Sequence, residues 1–331
     1  MEVSALLADM GYHITLIEKT DDVGGKLLQW HHLFPTQRPA SDILEYIASI
    51  RNNSRVDLKL NTAIKDISYQ KDHILLQTST DESLEAQAVV ISTGFDVFKA
   101  RNKEEYGYGI YENVITSVDL EAMLKEGKGI RMTNGKTPKR IAFIHCVGSR
   151  DEKSGNHYCS KVCCITGVKQ AIELHQLIPD AEIYCFYMDL RMYGKGYEEL
   201  YRDAQEKHDI QFIRGRLSEA SENIDESLLI KAEDTLSGRP LKMNIDLLVL
   251  LVGVEAGEGS IEIGRTFNLD LDADRFLKVK DIHTHRNLSS QKGVFLAGTC
   301  ICPMSVNDSL ENARSAAFEV HQYLQNKIKN E

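Results

Sequence analysis

Four of the seven cysteines lie within nineteen residues, in the run HCVGSRDEKSGNHYCSKVCC. They are Cys146, Cys159, Cys163 and Cys164, with the spacing C-x12-C-x3-C-C. Thiolates grouped this densely usually bind a metal or carry out redox chemistry. The spacing matches neither the paired C-x2-C of a zinc ribbon nor the C-x2-C-x2-C of a bacterial ferredoxin. Because a [4Fe–4S] cluster requires four thiolates, an iron–sulfur site is the first interpretation, zinc is the second, and buried structural thiols are the third.

Two of these cysteines, Cys163 and Cys164, open a helix that is predicted over residues 162–177. The positive end of the helix dipole would therefore lie beside them, where it favours thiolates and an anionic cluster. Lys169 follows one and a half turns later, and three interpretations stay open for it. It faces the cluster, it faces an adjacent cofactor, or it is a solvated helix cation.

The composition limits the classes of protein to which the chain can belong. Its 331 residues are enough for two domains, and its 42% hydrophobic and 27% charged content is typical of globular proteins. The net charge of -10 argues against a nucleic-acid-binding surface. No apolar run reaches the length of a membrane span, and the odd number of cysteines argues against a secreted disulfide scaffold. We therefore expect a cytoplasmic protein with no nucleic-acid partner and no direct membrane insertion.

The N-terminal residues are typical of the second half of a dinucleotide-binding βαβ unit. The spacing of Val3, Leu6, Leu7 and Met10 predicts an amphipathic helix that begins at or before Met1 and is ended by Gly11. Residues 13–18 are predicted to form a short apolar strand that closes on Glu18. A carboxylate at this point bonds the adenosine ribose hydroxyls, and Lys19 adjoins it. The strand and G-x-G-x-x-G loop of the first half do not precede the helix. We expect that an internal methionine was taken as the start, and a truly truncated chain is the other explanation.

A glycine pair follows the acidic strand end. Gly24 and Gly25 allow the backbone to approach a ligand closely or to adopt a positive φ, and Lys26 could face a phosphate. A plain glycine turn explains the same residues equally well. The segment is therefore a candidate cofactor loop with a structural alternative.

Two widely separated stretches, residues 88–94 and 293–299, have the pattern of buried strands followed by a tight turn, as flavoproteins use beside FAD. Their last residues are Thr93, Gly94, Gly298 and Thr299. A helix is predicted over residues 310–324, and Asp308 ahead of it either caps the helix or helps to aim its dipole at a flavin or pyrophosphate. The repeat predicts one domain that is interrupted by another.

The interrupting segment has the pattern of a second doubly wound unit. Strands are predicted over residues 141–144, 181–187 and 210–213, with helices between them. The glycine loop that would bind a nicotinamide cofactor is replaced by HCVGSR, which argues against a direct NAD(P)H site. We therefore predict an α/β fold with two Rossmann-type domains, the second inserted in the first. The predicted domains are 1–98 plus 245–331, which binds FAD, and 99–244, which carries the cysteines.

Four stretches resemble the A subunit of heterodisulfide reductase and its bacterial relatives. They are HCVGSRDE…YCSKVCC with GVKQA after it, LIEKTDDVGGKL, FPT, and VFLAGTCICP…DSLENARSAA. The resemblance implies a thioredoxin-reductase-like fold, FAD, a [4Fe–4S] cluster on the four clustered cysteines, and a catalytic Lys169 near the flavin ring. The FAD-lining residues that it implies are Glu18, Gly24, Gly25, Lys26, Gly94, Gly298 and Thr299. By their positions, Lys19, Thr93 and Asp308 are further candidates for FAD binding.

The expected function is electron transfer between FAD and the iron–sulfur subunits of a heterodisulfide-reductase-like complex. The expected partners are B- and C-like iron–sulfur subunits or other electron carriers, and a homodimer is expected. No cysteine follows the FPT at residues 34–36 and no ferredoxin module follows Glu331, so full electron bifurcation is not expected. The alternative is a non-catalytic scaffold that keeps the iron–sulfur site and does not hold FAD. Direct oxidation of NADH is a third class, which we do not expect.

Overall fold

A computed structural model describes residues 1–330 of the chain. The helices are α1 (Glu2–Asp9), α2 (Ala40–Ala48), α3 (Ser117–Glu126), α4 (Cys163–Leu177), α5 (Tyr197–Glu206), α6 (Glu258–Thr266) and α7 (Val306–Asn330). The strands are β1 (Ile14–Ile17), β2 (His32–Leu33), β3 (Arg38–Pro39), β4 (Val56–Lys59), β5 (Ile64–Tyr69), β6 (Ile74–Thr78), β7 (Ser83–Ala86), β8 (Val89–Ile91), β9 (Phe95–Val97), β10 (Val114–Thr116), β11 (Arg140–Val147), β12 (Glu182–Tyr187), β13 (Gln211–Arg214), β14 (Leu217–Glu222), β15 (Leu228–Asp234), β16 (Arg239–Ile245), β17 (Leu247–Val252), β18 (Val254–Ala256) and β19 (Val294–Leu296). Within residues 1–330, no helix is both long and apolar enough to cross a membrane.

The chain divides into two compact units, and each consists of more than one segment. Unit 1 is formed by residues 1–28, 41–96 and 255–331, and unit 2 by residues 29–40 and 97–254. The segment 29–40 therefore packs with unit 2, although it falls within the first of the two predicted domains. The predicted assignment of FAD to the first domain and of a cluster to the second stays a prediction.

Unit 2 is organised around a parallel sheet with the strand order β10-β17-β11-β12-β13. Strand β17 is buried at every residue, and β11 is buried at every residue except Arg140. A parallel strand that is covered on both faces has to be apolar on both, which explains its continuous apolar run. Successive residues point to opposite faces, so Phe143 packs with helices α3 and α4 while Ala142 and Ile144 pack with β14, β15 and β16.

One face of this sheet is thus covered by helices and the other by an antiparallel sheet of β14, β15 and β16. The sequence did not predict that antiparallel sheet. Along β15, fully buried residues alternate with more exposed ones from Leu228 to Ala232. Such alternation is typical of a sheet with one face on a core and one face in solvent.

Unit 1 contains two parallel strand pairs, β1 with β4 and β8 with β19, and an antiparallel sheet of β5, β6 and β7. Helices α1 and α7 pack together through Val3, Leu7, Val320 and Leu324. The buried carboxylate of Glu2 accepts a hydrogen bond from the Arg314 guanidinium at 2.7 Å. The helices, the apolar strands and the glycine turns that follow those strands occur in this unit at the positions expected from the sequence.

Candidate cysteine cluster and cofactor-binding segment

The cysteine cluster begins inside strand β11, where Cys146 interrupts the regular pairing. The register between β11 and β17 shifts between Ile144 and Val147, and Cys146 has a φ of 59°. A non-glycine residue in this left-handed region is uncommon and costs about 1–3 kcal/mol when the surroundings enforce it, comparable to one lost hydrogen bond. The irregular backbone brings the Cys146 sulfur to 3.8 Å from the Cys163 sulfur.

The loop between Cys146 and Cys163 is held by its own backbone. The amide of Arg150 donates to the Tyr158 carbonyl at 3.0 Å, and the amide of Asp151 donates to the Asn156 carbonyl at 2.9 Å. The Asn156 side chain donates to the Gly148 carbonyl at 2.9 Å. The loop is therefore a closed hairpin that returns the chain to the start of α4.

Cys159 lies on the returning arm of this hairpin and is half-buried, whereas the other three clustered cysteines are buried. Its sulfur accepts a hydrogen bond from the Lys161 amide at 3.4 Å. The next residue, Ser160, is fully buried, and its hydroxyl accepts from the Val254 amide at 2.8 Å. These two bonds fix the two residues that follow Cys159 in the chain.

The thiols of Cys146, Cys163 and Cys164 have pKa values that are shifted in opposite directions. Hydrogen bonds from Cys163 and Cys164 hold the pKa of the Cys146 thiol well below its usual range, and the nearby Arg150 cation lowers it further. The same interactions with Cys146 raise the pKa values of Cys163 and Cys164. These opposite shifts favour the thiolate form of Cys146 and the thiol forms of Cys163 and Cys164.

Several polar atoms beside Cys146 are buried and have no hydrogen-bond partner among residues 1–330. They are His145 Nδ1 and Nε2, Ser149 Oγ and Arg150 Nη1. Burial lowers the pKa of His145 to about 4, so its imidazole is neutral at pH 7. Leaving a buried polar group unsatisfied costs about 1–3 kcal/mol, and at least three of these four atoms belong to groups that can donate a hydrogen bond.

Two further cysteines are core residues. Burial raises the pKa of Cys185, which lies in β12, and raises the pKa of Cys300 to about 12. The Cys300 thiol donates to the carbonyls of Ile91 and Ala297 at 3.4 and 3.3 Å. Cys185 and Cys300 are therefore protonated packing residues and are not available as thiolate ligands.

The glycine in the cysteine loop provides a stability prediction. Gly148 has a φ of 75°, and a Cβ built there would lie 2.0 Å from the Phe98 ring. We expect Gly148→Ala to lower the free energy of unfolding by about 2–3 kcal/mol, because it adds a steric overlap to a strained backbone. Gly155→Ala is the matched control, since its φ is 71° and its Cβ would meet nothing within 4 Å. Chemical denaturation should show a loss of at most about 1 kcal/mol for the control, and equal losses would contradict the packing argument.

The candidate cofactor-binding residues of unit 1 cluster at the carboxyl ends of two parallel strands. The pairing of Ile91 with Leu296 places Gly94 beside the turn that follows β19. A Cβ on Gly94 would lie 3.9 Å from the Thr299 hydroxyl. Gly298 has a φ of 77°, and a Cβ there would meet nothing within 4 Å. Ligands of open α/β sheets bind at such strand ends, where bare backbone allows close approach.

Polar side chains fix the turns around these glycines. The hydroxyls of Thr93 and Ser260 are 2.7 Å apart. The Gly298 amide donates to the Asn312 side chain of α7 at 2.8 Å. Asp308 is the third residue of α7, and its carboxylate accepts from the amide and hydroxyl of Ser305 at 2.8 and 2.6 Å. Asp308 therefore forms a capping box with Ser305, in agreement with the capping alternative.

Glu18, Lys19, Gly24 and Gly25 follow the end of β1, as the sequence predicted. The Glu18 carboxylate accepts hydrogen bonds from the Thr20 amide and hydroxyl at 2.9 and 2.8 Å, and Lys19 is exposed. Gly24 and Gly25 have φ values of 123° and 54°. A Cβ on Gly25 would meet nothing within 4 Å, whereas one on Gly24 would lie 2.9 Å from Leu44. Gly24 is therefore needed for packing, and Gly25 leaves open space.

Lys26 is engaged in an ion pair with Asp96, with the Nζ and Oδ1 atoms 3.3 Å apart. Burial would raise the pKa of Asp96, but the hydrogen bond from the Glu258 amide and the charge of Lys26 outweigh burial and lower it. The Lys26 ammonium also lies 5.3 Å from the centre of the Phe95 ring. Lys26 is thus held beside β9, close in the chain to Gly94, rather than in open solvent.

Lys169 is 2% exposed, so the interpretation as a solvated helix cation is wrong. Its ammonium pairs with the buried carboxylate of Glu121, lies 3.3 Å from Glu173 Oε2, and donates to the His32 carbonyl at 3.0 Å. The Gln170 side chain donates to the same Glu121 oxygen at 2.9 Å. The helical spacing could not reveal the partners that come from α3 and from the segment 29–40.

Comparisons with known proteins agree with this architecture. A family model described as flavin containing amine oxidoreductase matches residues 31–190. The chain is 41% identical over 251 residues to the A subunit of the H(2):CoB-CoM heterodisulfide,ferredoxin reductase of Methanothermobacter thermautotrophicus, which covers 73% of this chain and 37% of that protein. It is 30% identical to the iron-sulfur A subunit of the CoB--CoM heterodisulfide reductase of Methanocaldococcus jannaschii, over 95% of this chain and 61% of that protein. The chain therefore spans less than two thirds of the length of these relatives.

Solved structures with the same fold include two thioredoxin reductases. The enzyme of Lactococcus lactis superimposes with a TM-score of 0.65 at 15% identity, over 98% of this chain and 95% of that one. The enzyme of T. acidophilum superimposes with a TM-score of 0.62 at 15% identity, over 97% and 93% of the two chains. The predicted α/β, thioredoxin-reductase-like fold class is confirmed.

Proposed function

This chain is homologous to the A subunits of CoB–CoM heterodisulfide reductases, and from that premise we propose that it is an electron-transfer subunit that binds FAD and a [4Fe–4S] cluster. Its task would be to relay electrons between the flavin and partner iron–sulfur subunits of the B and C types, or other electron carriers. A homodimer is part of the same proposal. The name of the M. jannaschii relative, an iron–sulfur subunit, supports an iron–sulfur role.

The observation that carries the proposal is the convergence of cysteines with unsatisfied polar atoms at the end of β11. The Cys146 and Cys163 sulfurs lie 3.8 Å apart, Cys164 follows Cys163 in α4, and the hairpin that carries Cys159 returns the chain to the start of that helix. Four buried polar atoms beside them have no partner within the described residues 1–330. The thiolates and sulfides of an iron–sulfur cluster are acceptors that could satisfy such donors.

In this proposal Cys146, Cys159, Cys163 and Cys164 hold the cluster. The N-terminal end of α4 lies at Cys163, so its dipole stabilises the negative charge of the thiolates. The Arg150 guanidinium and the buried Ser149 hydroxyl would stabilise further charge by donating hydrogen bonds. Hydrogen bonds and positive charge near the sulfurs raise a cluster's reduction potential, which suits an acceptor of electrons.

For FAD, the bare backbone at Gly25, Gly94 and Gly298 would allow close approach of the cofactor, and Glu18 would accept hydrogen bonds from the ribose hydroxyls. Lys26, held by Asp96, would supply a positive charge to the same cofactor. When bound, FAD exchanges electron pairs and the cluster exchanges single electrons, so together they allow the subunit to convert one kind of transfer into the other. Lys169 would be a positioning residue, because its ammonium pairs with Glu121 of α3 and donates to the His32 carbonyl of the segment 29–40.

The proposal is tested by titrating the anaerobic protein with FAD and following the quenching of flavin fluorescence. We expect saturable binding, and we expect Gly298→Val to weaken it at least tenfold because the added side chain fills the space beside the backbone. Gly11→Val is the matched control, since Gly11 has a φ of 98° and also faces open space, but lies at the end of α1. Equal weakening by both variants would attribute the loss to strain and contradict the assignment of Gly298.

The alternative is a scaffold that keeps the iron–sulfur site without FAD. Iron in the purified protein together with no saturable flavin binding is the result that this alternative predicts. A third activity, direct oxidation of NADH, would bleach the flavin when NADH alone is added. We expect bleaching by dithionite and none by NADH, since the loop HCVGSR occupies the position of a nicotinamide-binding glycine loop.

A further inference from the structure

A second group of potential metal ligands lies in unit 2 and contains no cysteine. It consists of His31 and His32 from the segment 29–40 and Glu173 from α4. One ligand atom from each residue lies within 4.8 Å of the others. The His32 Nδ1 atom is 2.7 Å from Glu173 Oε1, and the His31 Nδ1 atom is 3.7 Å from the same oxygen.

These separations are close to those that a single metal ion imposes. A tetrahedral ion with ligands at about 2.0–2.1 Å holds its ligand atoms about 3.3 Å apart. The two observed distances, 2.7 and 3.7 Å, lie on either side of that value. The two carboxylate–imidazole separations are thus within about 0.6 Å of the value for a bound ion, and all three ligand atoms lie within 4.8 Å of one another. The two imidazole rings are neighbours, with centroids 3.7 Å apart.

One buried atom of the group, His31 Nδ1, has no hydrogen-bond partner within residues 1–330. Native structures rarely leave buried polar atoms unsatisfied, because each one loses its hydration without replacement. The unsatisfied Nδ1 of His31 is also one of the three potential ligand atoms. This second observation is independent of the distances.

The charged groups around the three residues are compatible with a bound cation. The charged groups that face the three residues are Glu121 and Lys169, and the Lys169 ammonium pairs with Glu121 while lying 3.3 Å from Glu173 Oε2. The buried carboxylates of Glu121 and Glu173 thus share a single ammonium. A divalent cation on Glu173 Oε1 would bring further positive charge to this pair of carboxylates.

We propose that His31, His32 and Glu173 bind one divalent first-row transition-metal ion, such as Zn²⁺, through both Nδ1 atoms and Glu173 Oε1. Two imidazoles and one carboxylate form a ligand set that suits Zn²⁺ and leaves a fourth position for water. The side chains of His31 and His32 are 32% and 28% exposed, so an ion can enter from solvent. The Lys169 ammonium orients the Glu173 carboxylate through its ion pair with the second oxygen, Oε2. The site does not depend on FAD or on the cysteine cluster.

The only tryptophan of the chain, Trp30, adjoins the proposed site and provides a local probe. The full chain is titrated with Co²⁺, whose visible absorption quenches a nearby tryptophan, and Zn²⁺ is then added in competition. We expect quenching that saturates at one ion per chain and is reversed by Zn²⁺. Absorption by cobalt–thiolate charge transfer reports ions on the cysteines separately, so the two metal-binding sites are distinguishable.

The double variant His31→Ala/His32→Ala is expected to weaken the quenching at least tenfold and to leave the charge-transfer absorption unchanged. The matched control is His175→Ala/His208→Ala, a second pair of half-buried histidines whose Nδ1 atoms are 3.1 Å apart. The control is expected to retain full quenching. If the double variant fails to fold by circular dichroism, His32→Gln keeps a polar side chain of similar length and is expected to show the same loss. Quenching that is absent in the native chain, or unchanged in these variants, would overturn the proposal and leave an ordinary His32–Glu173 pair.

Discussion

Cys159→Ser is expected to reduce the iron of the reconstituted protein from about four atoms per chain to background. Cys159 is the one clustered cysteine that is not buried, so its removal disturbs the packing least. The serine keeps nearly the same volume and can still accept the hydrogen bond that the Lys161 amide donates to the sulfur. A loss of iron would therefore report the loss of a ligand rather than the loss of the fold. The measurement is iron and acid-labile sulfide per chain after anaerobic reconstitution.

Cys302→Ser is the matched control, because Cys302 is also half-buried but belongs to unit 1 and lies outside the cysteine loop. Its iron content should equal that of the native chain. Stoichiometric iron in Cys159→Ser would contradict the assignment of the four ligands. A site that takes up one zinc atom per chain and no iron would instead support the second interpretation of the cysteines.

The sequence was most informative where a feature is local in the chain. The apolar run of β11, the helix that opens at Cys163 and the glycine turns after β8 and β19 all occur as predicted. Each depends on residues a few positions apart, so the periodicity of the sequence is sufficient to detect it. The cysteine spacing is local in the same sense, since a hairpin closed by its own backbone bonds returns the chain from Cys146 to Cys163.

What the sequence could not predict depends on contacts between distant segments. Nothing near residues 29–40 indicates that they pack with unit 2, because the contacts that hold them come from Glu121, Lys169 and Glu173. The antiparallel sheet of β14, β15 and β16 escapes prediction because short half-exposed strands have weak signals. From the sequence, solvent exposure remained one of the interpretations of Lys169. The helix residues near it in the chain do not show that other segments bury its ammonium.

Lys169→Met is expected to lower the free energy of unfolding by about 3–5 kcal/mol, the range for removing one partner of a buried ion pair. The ammonium is 2% exposed and contacts the carboxylates of Glu121 and Glu173, which are 2% and 4% exposed. Methionine fills a similar volume, so the loss reports charge rather than a cavity. Without the ammonium, two carboxylates remain buried near each other and lose the cation that both of them contact. The measurement is chemical denaturation of the full chain.

Lys207→Met is the matched control, since Lys207 also pairs with a carboxylate four residues away, at 2.8 Å from Asp203. Its side chain is 65% exposed, and a solvated pair of this kind contributes at most about 0.5 kcal/mol. If both variants lost a similar free energy of unfolding, the buried ion pairs of Lys169 would contribute no more than an exposed pair, which contradicts the prediction.

The double variant Lys169→Met/Glu121→Gln separates the two origins that the loss can have. If the cost of Lys169→Met comes from the unpaired carboxylate of Glu121, then making that carboxylate neutral should restore a large part of the stability. We therefore expect the double variant to be more stable than Lys169→Met alone, with a coupling of about 1–3 kcal/mol. If the losses of the two single variants simply add, the cost of Lys169→Met does not come from its pairing with Glu121. The contribution of the ammonium would then come from its contacts with Glu173 Oε2 at 3.3 Å and the His32 carbonyl at 3.0 Å, and the second of these ties the segment 29–40 to α4.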